Sequence, residues 1–188
     1  MGRWQPDARG RMAQAALELY SERGYEQTTV AEIARRAGLT ERTFFRHYAD
    51  KREVLFAGSG ELEELFVRAV AEAPESAAPI DALGVGLDAV SELFEDRRAF
   101  ARERQAVIMA NAELLERELI KLASLSAALA DTLRRRGVVE PTASLAAEAA
   151  LAVFKVGFER WVQVSEERGM SQVMRESLDE LKAVTAGA

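Results

Sequence analysis

Apolar residues recur at helical spacing along the chain, and glycine, proline and capping residues divide this pattern into separate helices. The pattern predicts a first helix from Asp7 to Arg23, a second that begins after Thr29 and ends at Gly38, and a short third helix after Thr40. We therefore predict an all-α fold. The further predicted helices span residues 50–73, 80–95, 99–110, 112–136, 143–168 and 171–184.

The stretch from Thr29 to Lys51 predicts two short helices joined by a tight turn. Thr29 and Glu32 have the spacing of a capping box, and Gly38 can adopt the left-handed conformation that ends a helix. Thr40 is placed to cap the next helix, which hides Phe44 on one side. This layout is typical of a helix-turn-helix whose second helix enters a DNA major groove. The residues predicted on the exposed side are Glu41, Arg42, Phe45, Arg46 and His47.

The run from Met12 to Phe56 resembles the N-terminal domain of TetR-type (TetR/AcrR) transcriptional regulators. The resemblance implies an N-terminal three-helix DNA-binding domain at residues 1–52 and a larger helical ligand-binding and dimerisation domain at residues 53–188. It also implies a ligand-responsive repressor that binds palindromic operator DNA as a homodimer and is released by a small, largely apolar effector. The positions that match the family pattern are Gly24, Thr29, Ala34, Gly38, Thr43, His47 and Lys51.

Charge is distributed unevenly between the two predicted domains. The whole chain has a net charge of −6, yet residues 1–52 carry ten basic and seven acidic side chains, whereas the remaining 136 residues carry 15 and 24. A basic N-terminal part on an acidic remainder indicates that double-stranded DNA binds the N-terminal part alone. The absence of cysteine excludes disulfides and, with no secretory leader and no apolar run of about 18 residues, favours a cytoplasmic protein without a membrane partner.

The candidate DNA contacts divide into base-reading and positioning residues. Arg42 has the chemistry for a bidentate contact to guanine, and Glu41 can accept from cytosine or hold Arg42 in place. Phe45 stands where the resembled family usually has tyrosine, so it can touch a thymine methyl group but cannot donate to a phosphate. For Arg46 and His47 an ordinary exposed helix face is the alternative. The candidate phosphate contacts are Thr29, Thr40, Thr43, Arg46, His47 and Lys51.

No pattern in the chain predicts catalysis. His47 is the only histidine, which excludes a multi-histidine metal site in one chain, and no glycine-rich phosphate loop occurs. We therefore expect a protein that is not an enzyme and that has no metal and no cofactor.

The two C-terminal helices, 143–168 and 171–184, are the predicted homodimer interface. The first is apolar nearly all round, with one polar line, and a helix of that kind needs more than its own chain to cover it. Gly157 is predicted to let a partner helix approach closely. The polar line consists of Glu148, Lys155, Glu159, Gln163 and Glu166.

The effector site is implied by the resemblance, which places it among the helices that follow the DNA-binding domain. Each candidate lining residue has ordinary core packing as its alternative. The candidate lining residues are Phe66, Leu87, Phe94, Met109, Leu122, Phe154 and Phe158, with Arg104, Gln105 and Asn111 as polar groups.

Gly58 and Gly60 lie where the two predicted domains join. They predict either a bend between the domains or a close approach of another helix.

Two alternatives for the whole chain stay open. One is a helical protein-interaction module, and the other is a DNA binder without a ligand pocket.

Overall fold

A computed structural model describes residues 8–163 and 167–186 and confirms the all-α fold, with no strand among those residues. Two 3-10 helices, Glu53–Phe56 and Glu92–Phe94, accompany the α-helices. Within the described residues no helix is both long and apolar enough to cross a membrane. The α-helices are α1 (Ala8–Arg23), α2 (Val30–Arg36), α3 (Glu41–His47), α4 (Ser59–Glu72), α5 (Pro79–Ser91), α6 (Arg98–Met109), α7 (Ala112–Arg135), α8 (Thr142–Trp161) and α9 (Met170–Ala186).

The predicted caps around α2 and α3 are confirmed. The Thr29 hydroxyl accepts from the backbone N–H of Glu32 at 3.3 Å, and the Glu32 carboxylate accepts from the backbone N–H of Thr29 at 3.0 Å. Gly38 has a φ of +67°, and the following N–H of Leu39 bonds back to the carbonyl of Ala34 at 2.8 Å. Because a left-handed φ strains any residue with a Cβ, glycine fixes the turn at this point.

Three predicted helix boundaries are wrong. The helix predicted over residues 50–73 is interrupted, because the 3-10 helix ends at Phe56 and α4 begins at Ser59. The helix predicted over residues 143–168 begins at Thr142 and ends at Trp161. The helix predicted over residues 171–184 begins at Met170 and extends to Ala186. Glu166 of the predicted polar line lies outside the described residues.

The chain divides into two compact units, and all three boundaries between them fall inside helices. The first, which we call the head unit, combines the chain up to Ser59 with Glu103–Leu119. The second, the body unit, combines Gly60–Arg102 with the chain from Ile120 onward. The C-terminal part of α6 and the N-terminal part of α7 therefore belong to the head unit. The division into functional domains at residues 52 and 53 stays a prediction.

Close contacts at glycines show how the body unit packs. A Cβ on Gly86 would lie 2.3 Å from the ring of Phe66, and a Cβ on Gly157 would lie 2.6 Å from the sulfur of Met174 in α9. Gly157 thus admits a helix of its own chain, not the partner helix that the sequence predicts. Gly58 and Gly60 have no such neighbour within 4 Å, so close packing does not account for them and the bend stays a prediction.

Candidate nucleic-acid interface

Helix α3 is anchored by one aromatic side chain and exposes the opposite side. Phe44 is fully buried, and its ring packs edge-on against Phe45 at 5.6 Å and at a tilt of 50° against Tyr48 at 5.4 Å. Phe45 is 56% exposed, and Glu41 and Arg42 are exposed one turn earlier on the helix. The predicted base-reading residues therefore share one exposed surface, which α3 presents because Phe44 fixes its rotation.

The predicted threonines sit at helix starts. The Thr40 hydroxyl accepts from the backbone N–H of Thr43 at 3.2 Å, and the two threonine hydroxyls lie 3.0 Å apart. Thr29 serves α2 in the same way through its capping box. These hydroxyls set the two helix starts, and their contact with phosphate stays a prediction.

Ion pairing separates the arginines of α3 from others in the head unit. Arg36 binds the carboxylates of Glu18 and Glu22 at 3.2 and 2.8 Å, and its hydrogen bond lowers the pKa of Glu22. Neither Arg42 nor Arg46 forms an ion pair with another described residue. The charge of α3 is thus left uncompensated within the described chain, which suits a surface that meets an anion.

His47 and Arg46 lie at the C-terminal end of α3. A guanidinium nitrogen of Arg46 lies 3.5 Å from Nε2 of His47, and Arg46 is exposed while His47 is half-buried. The structure thus keeps both side chains on the predicted exposed side of the helix. This geometry does not decide whether Arg46 and His47 bind phosphate or simply form a solvated helix face.

Lys51 occupies a position that the sequence pattern does not reveal. Its ammonium donates to the carbonyls of Tyr25, Thr28 and Glu26 at 2.8, 3.1 and 3.4 Å, and it lies 4.2 Å from the centre of the Tyr25 ring. An ammonium has three N–H donors, so these bonds use all of them. In the structure Lys51 holds the turn that precedes α2, and its predicted phosphate contact would compete with that role.

Tyr25 connects this turn to α7 within the head unit. Its hydroxyl donates to the carboxylate of Glu113 at 3.2 Å. Burial, together with the charge of Glu113, raises the pKa of Tyr25 above its usual value, so the phenol stays protonated as a donor. Arg104 of α6 adds a second link, because it donates to the carbonyl of Leu55 at 2.8 Å.

The residues predicted to line an effector site fall into both units. Arg104, Gln105, Met109 and Asn111 lie in the head unit, where the Arg104 guanidinium binds the Glu118 carboxylate at 2.9 Å. Met109 is 59% exposed, and the Asn111 amide donates to the carbonyl of Val107. The structure therefore gives Arg104 and Asn111 partners of their own and leaves Met109 exposed, and the role of all four residues toward an effector stays a prediction.

The remaining predicted lining residues lie in the body unit. The ring of Phe94 lies 6.5 Å from that of Phe154 and 5.7 Å from that of Phe158, measured between ring centres. The Trp161 ring lies 6.0 Å from Phe94 and 5.9 Å from Phe158, so the four rings form one aromatic cluster. Phe66 and Leu87 are buried in the same core, and Leu122 packs against it. A shallow groove of about 220 Å³ elsewhere in this unit is lined by none of these residues, but by Glu63, Glu64, Val67, Ala128, Asp131 and Arg135.

Comparison with known proteins matches the helix-turn-helix to one family. The profile described as "Bacterial regulatory proteins, tetR family" matches residues 13–57. The HTH-type transcriptional regulator TcmR of Streptomyces glaucescens is 38% identical over 82 residues, which are 44% of this chain and 36% of TcmR. The chain thus spans about a third of the length of that relative.

Solved structures of similar fold cover nearly the whole chain. The TetR-family regulator PfmR of Thermus thermophilus is 24% identical, with a TM-score of 0.52 over 91% of this chain and 96% of its own. The regulator FadR of Bacillus subtilis, solved with stearoyl-CoA, is 20% identical, with a TM-score of 0.63 over 92% and 96%. These structures therefore share their fold with nearly the whole of this chain, and residues 13–57, which contain the helix-turn-helix, match the tetR family of bacterial regulatory proteins.

Proposed function

We propose that this protein is a ligand-responsive repressor that binds palindromic operator DNA in the cytoplasm as a homodimer and is released by a small, largely apolar effector. The observation that carries the DNA-binding part is the exposed face of α3. Arg42 and Arg46 stand there without ion pairs among the described residues, whereas Arg36 in the same unit is paired. Uncompensated guanidinium groups on a short, anchored helix suit a major groove, where arginine binds guanine in a bidentate way.

The proposed dimer rests on apolar side chains that α8 and α9 leave exposed. On α8, Leu145 is 66% and Val156 51% exposed, and Ala152 lies between them at helical spacing. On α9, Val184 is 79% exposed. A second copy of the chain would cover these residues. A twofold dimer also places two recognition helices about 34–36 Å apart, one helical turn of DNA.

The proposed effector site is the aromatic cluster of the body unit. FadR of Bacillus subtilis was solved with stearoyl-CoA, which makes a long-chain acyl-CoA the first probe for this chain. An effector of this kind would favour a form of the dimer in which the distance between the two α3 helices no longer matches the spacing of successive major grooves on DNA. A coupling free energy of about 1–3 kcal/mol would weaken operator binding roughly 5–150-fold.

Selection of binding sites from random duplex DNA tests the proposal. We expect an enriched palindrome whose half-sites lie one helical turn apart, because a twofold dimer reads the same sequence twice. Arg42→Ala should flatten the preference at one position of each half-site by about 1–3 kcal/mol. Failure to enrich any sequence, with no salt-dependent binding to duplex, would refute the regulator and favour a protein-interaction module.

The selected operator then permits a test of the effector. Stearoyl-CoA is titrated into the protein–operator complex, with free coenzyme A as the control for its polar part. Release by the acylated compound alone supports an apolar effector. Equal release by both compounds, or by neither, contradicts the part of the proposal that assigns this effector class.

A further inference from the structure

Phe45 is an apolar side chain on a surface otherwise built for polar contacts. It is the only large hydrophobic residue that is exposed among residues 8–59, at 56%. Glu41, Arg42 and Arg46, which surround it on α3, are all exposed and polar. Single exposed apolar residues are common on protein surfaces, but this ring lies on the proposed DNA-binding face, where binding to DNA would remove its unfavourable contact with water.

The Phe45 ring contacts the core through Phe44. Phe44 is completely buried and meets Phe45 edge-on, with ring centres 5.6 Å apart and an angle of 81° between the ring planes. This contact covers one side of the Phe45 ring and leaves the rest of the ring facing outward. An apolar group that projects from the exposed face of α3 can therefore distinguish an apolar from a polar partner.

The chemistry of the major groove leaves one main target for such a group. A phenyl ring neither donates nor accepts a hydrogen bond, so it cannot read the N–H, N7 or carbonyl groups of the bases. The C5-methyl group of thymine is the apolar feature that the major-groove edge presents. We propose that Phe45 determines operator specificity by packing against a thymine methyl group in each half-site.

The position of that thymine follows from helix geometry. Phe45 lies three residues after Arg42, which corresponds to about 4.5 Å along the axis of α3. Successive base pairs are about 3.4 Å apart. The thymine should therefore lie within about two base pairs of the guanine whose preference is lost in Arg42→Ala.

Replacement of thymine by uracil removes the methyl group and leaves the hydrogen-bonding edge unchanged. This inference rests on the proposed DNA-binding function, so the test uses the full-length protein and the selected operator, with each thymine replaced in turn. Loss of one buried methyl contact should weaken binding about fourfold when one half-site is changed and about 15-fold when both are changed. Uracil at other thymines should have little effect.

A second set of duplexes places the same methyl group on a different base. Cytosine at the critical position should bind weakly, and 5-methylcytosine at that position should recover about fourfold, since it restores the methyl group alone. Recovery of this kind would be absent if the position were read only through hydrogen bonds.

Protein variants link the effect to Phe45. Phe45→Ala should bind thymine and uracil operators with equal affinity, whereas Phe45→Leu, which keeps an apolar side chain, should still distinguish them. Helical content measured by circular dichroism checks folding. If Phe45→Ala misfolds, Phe45→Gln replaces it, because a polar side chain at this position should also bind thymine and uracil operators with equal affinity.

The possible failures are distinguishable. If the original protein selects an operator but binds its uracil forms as tightly as its thymine forms at every position, Phe45 does not read a methyl group and this inference is wrong. If discrimination persists in Phe45→Ala, another residue reads the methyl group. If no operator is selected at all, the regulator proposal itself fails.

Discussion

Lys51→Met tests whether this lysine positions the helix-turn-helix or binds DNA directly. The substitution keeps an unbranched apolar stem but removes the ammonium, which donates to the carbonyls of Tyr25, Thr28 and Glu26 and lies over the Tyr25 ring. Hydrogen bonds to a charged group contribute about 1.5–3 kcal/mol, and an exposed cation–π contact contributes about 0.5–1 kcal/mol.

The expected loss of unfolding free energy is smaller than the sum of these contributions. Lys51 is half-buried, so water can reach part of the turn and replace some of the lost bonds. We expect Lys51→Met to lose about 2 kcal/mol, which corresponds to a fall in melting temperature of roughly 4–8 °C for a chain of this length. Thermal unfolding followed by circular dichroism measures this loss.

Salt dependence separates the two roles of Lys51. Each phosphate contact contributes about 0.9 to the slope of log affinity against log salt concentration, so two lost contacts in a dimer would lower the slope by about 1.8. If Lys51 holds the turn, Lys51→Met should weaken binding to all sequences and leave the slope nearly unchanged. Fluorescence anisotropy of the labelled operator between about 50 and 200 mM salt measures the slope.

Arg46→Met is the matched control, since Arg46 is exposed and forms no ion pair with another described residue. If Arg46 makes its predicted phosphate contact, Arg46→Met should lower the slope by about 1.8 per dimer with little change in melting temperature. The reasoning would be refuted if Lys51→Met behaved like this control, with an unchanged melting temperature and a lower slope, because the ammonium would then be leaving the carbonyls to meet phosphate.

Three further predictions concern the fold. Gly86→Ala should lower the unfolding free energy by about 2 kcal/mol in urea titrations, because the new Cβ would lie 2.3 Å from the buried ring of Phe66; an unchanged midpoint would show that the ring moves aside without cost. A Cβ on Gly60 would have no neighbour within 4 Å, so Gly60→Ala should raise the unfolding free energy by about 0.5 kcal/mol through helix propensity. A lower unfolding free energy would show that the added methyl group does not fit there. The Arg52 guanidinium and nearby backbone N–H groups lower the pKa of Asp50, so the ionised form of Asp50 stabilises the fold above about pH 4 and this stabilisation is lost as the pH falls through the lowered pKa. Asp50→Asn should therefore flatten the acid dependence of the urea midpoint, and an equally steep dependence would assign it to other carboxylates.

Local signals predicted the helix-turn-helix well because its determinants lie close together in sequence. Thr29 and Glu32 form their capping box three residues apart, and Gly38 ends α2 through its own backbone conformation. The exposure of Arg42 and Phe45 follows from the period of a short helix whose buried position is Phe44. These features need no information from distant parts of the chain.

Tertiary contacts explain the boundaries that the sequence did not predict. Helix α8 ends at Trp161, and Arg102 donates to the carbonyl of the next residue, Val162, at 2.6 Å. The guanidinium of Arg98 lies over the Trp161 ring at 5.1 Å. Both arginines come from about sixty residues earlier in the chain, so hydrophobic periodicity around α8 could not reveal the contacts that accompany its end.

The candidate site shows the same limit. The arginines of the head unit look alike in the sequence, and only the structure shows that Arg36 is paired with Glu18 and Glu22. The charge pattern could not reveal that the Lys51 donors point at carbonyls 23 to 26 residues away. Residue type thus identified the candidate DNA-binding surface. Only the folded structure shows which basic side chains already bind carboxylates or carbonyls from distant parts of the chain.

The composition of the head unit limits how regulators of this kind can be recombined. A chimera that grafted only the chain up to Ser59 onto a foreign sensor would omit Glu103–Leu119. The Tyr25 hydroxyl would then lack the Glu113 carboxylate, and the Leu55 carbonyl would lack the Arg104 guanidinium. A transplantable reader of operator DNA would have to include both segments, although more than forty residues separate them in the chain.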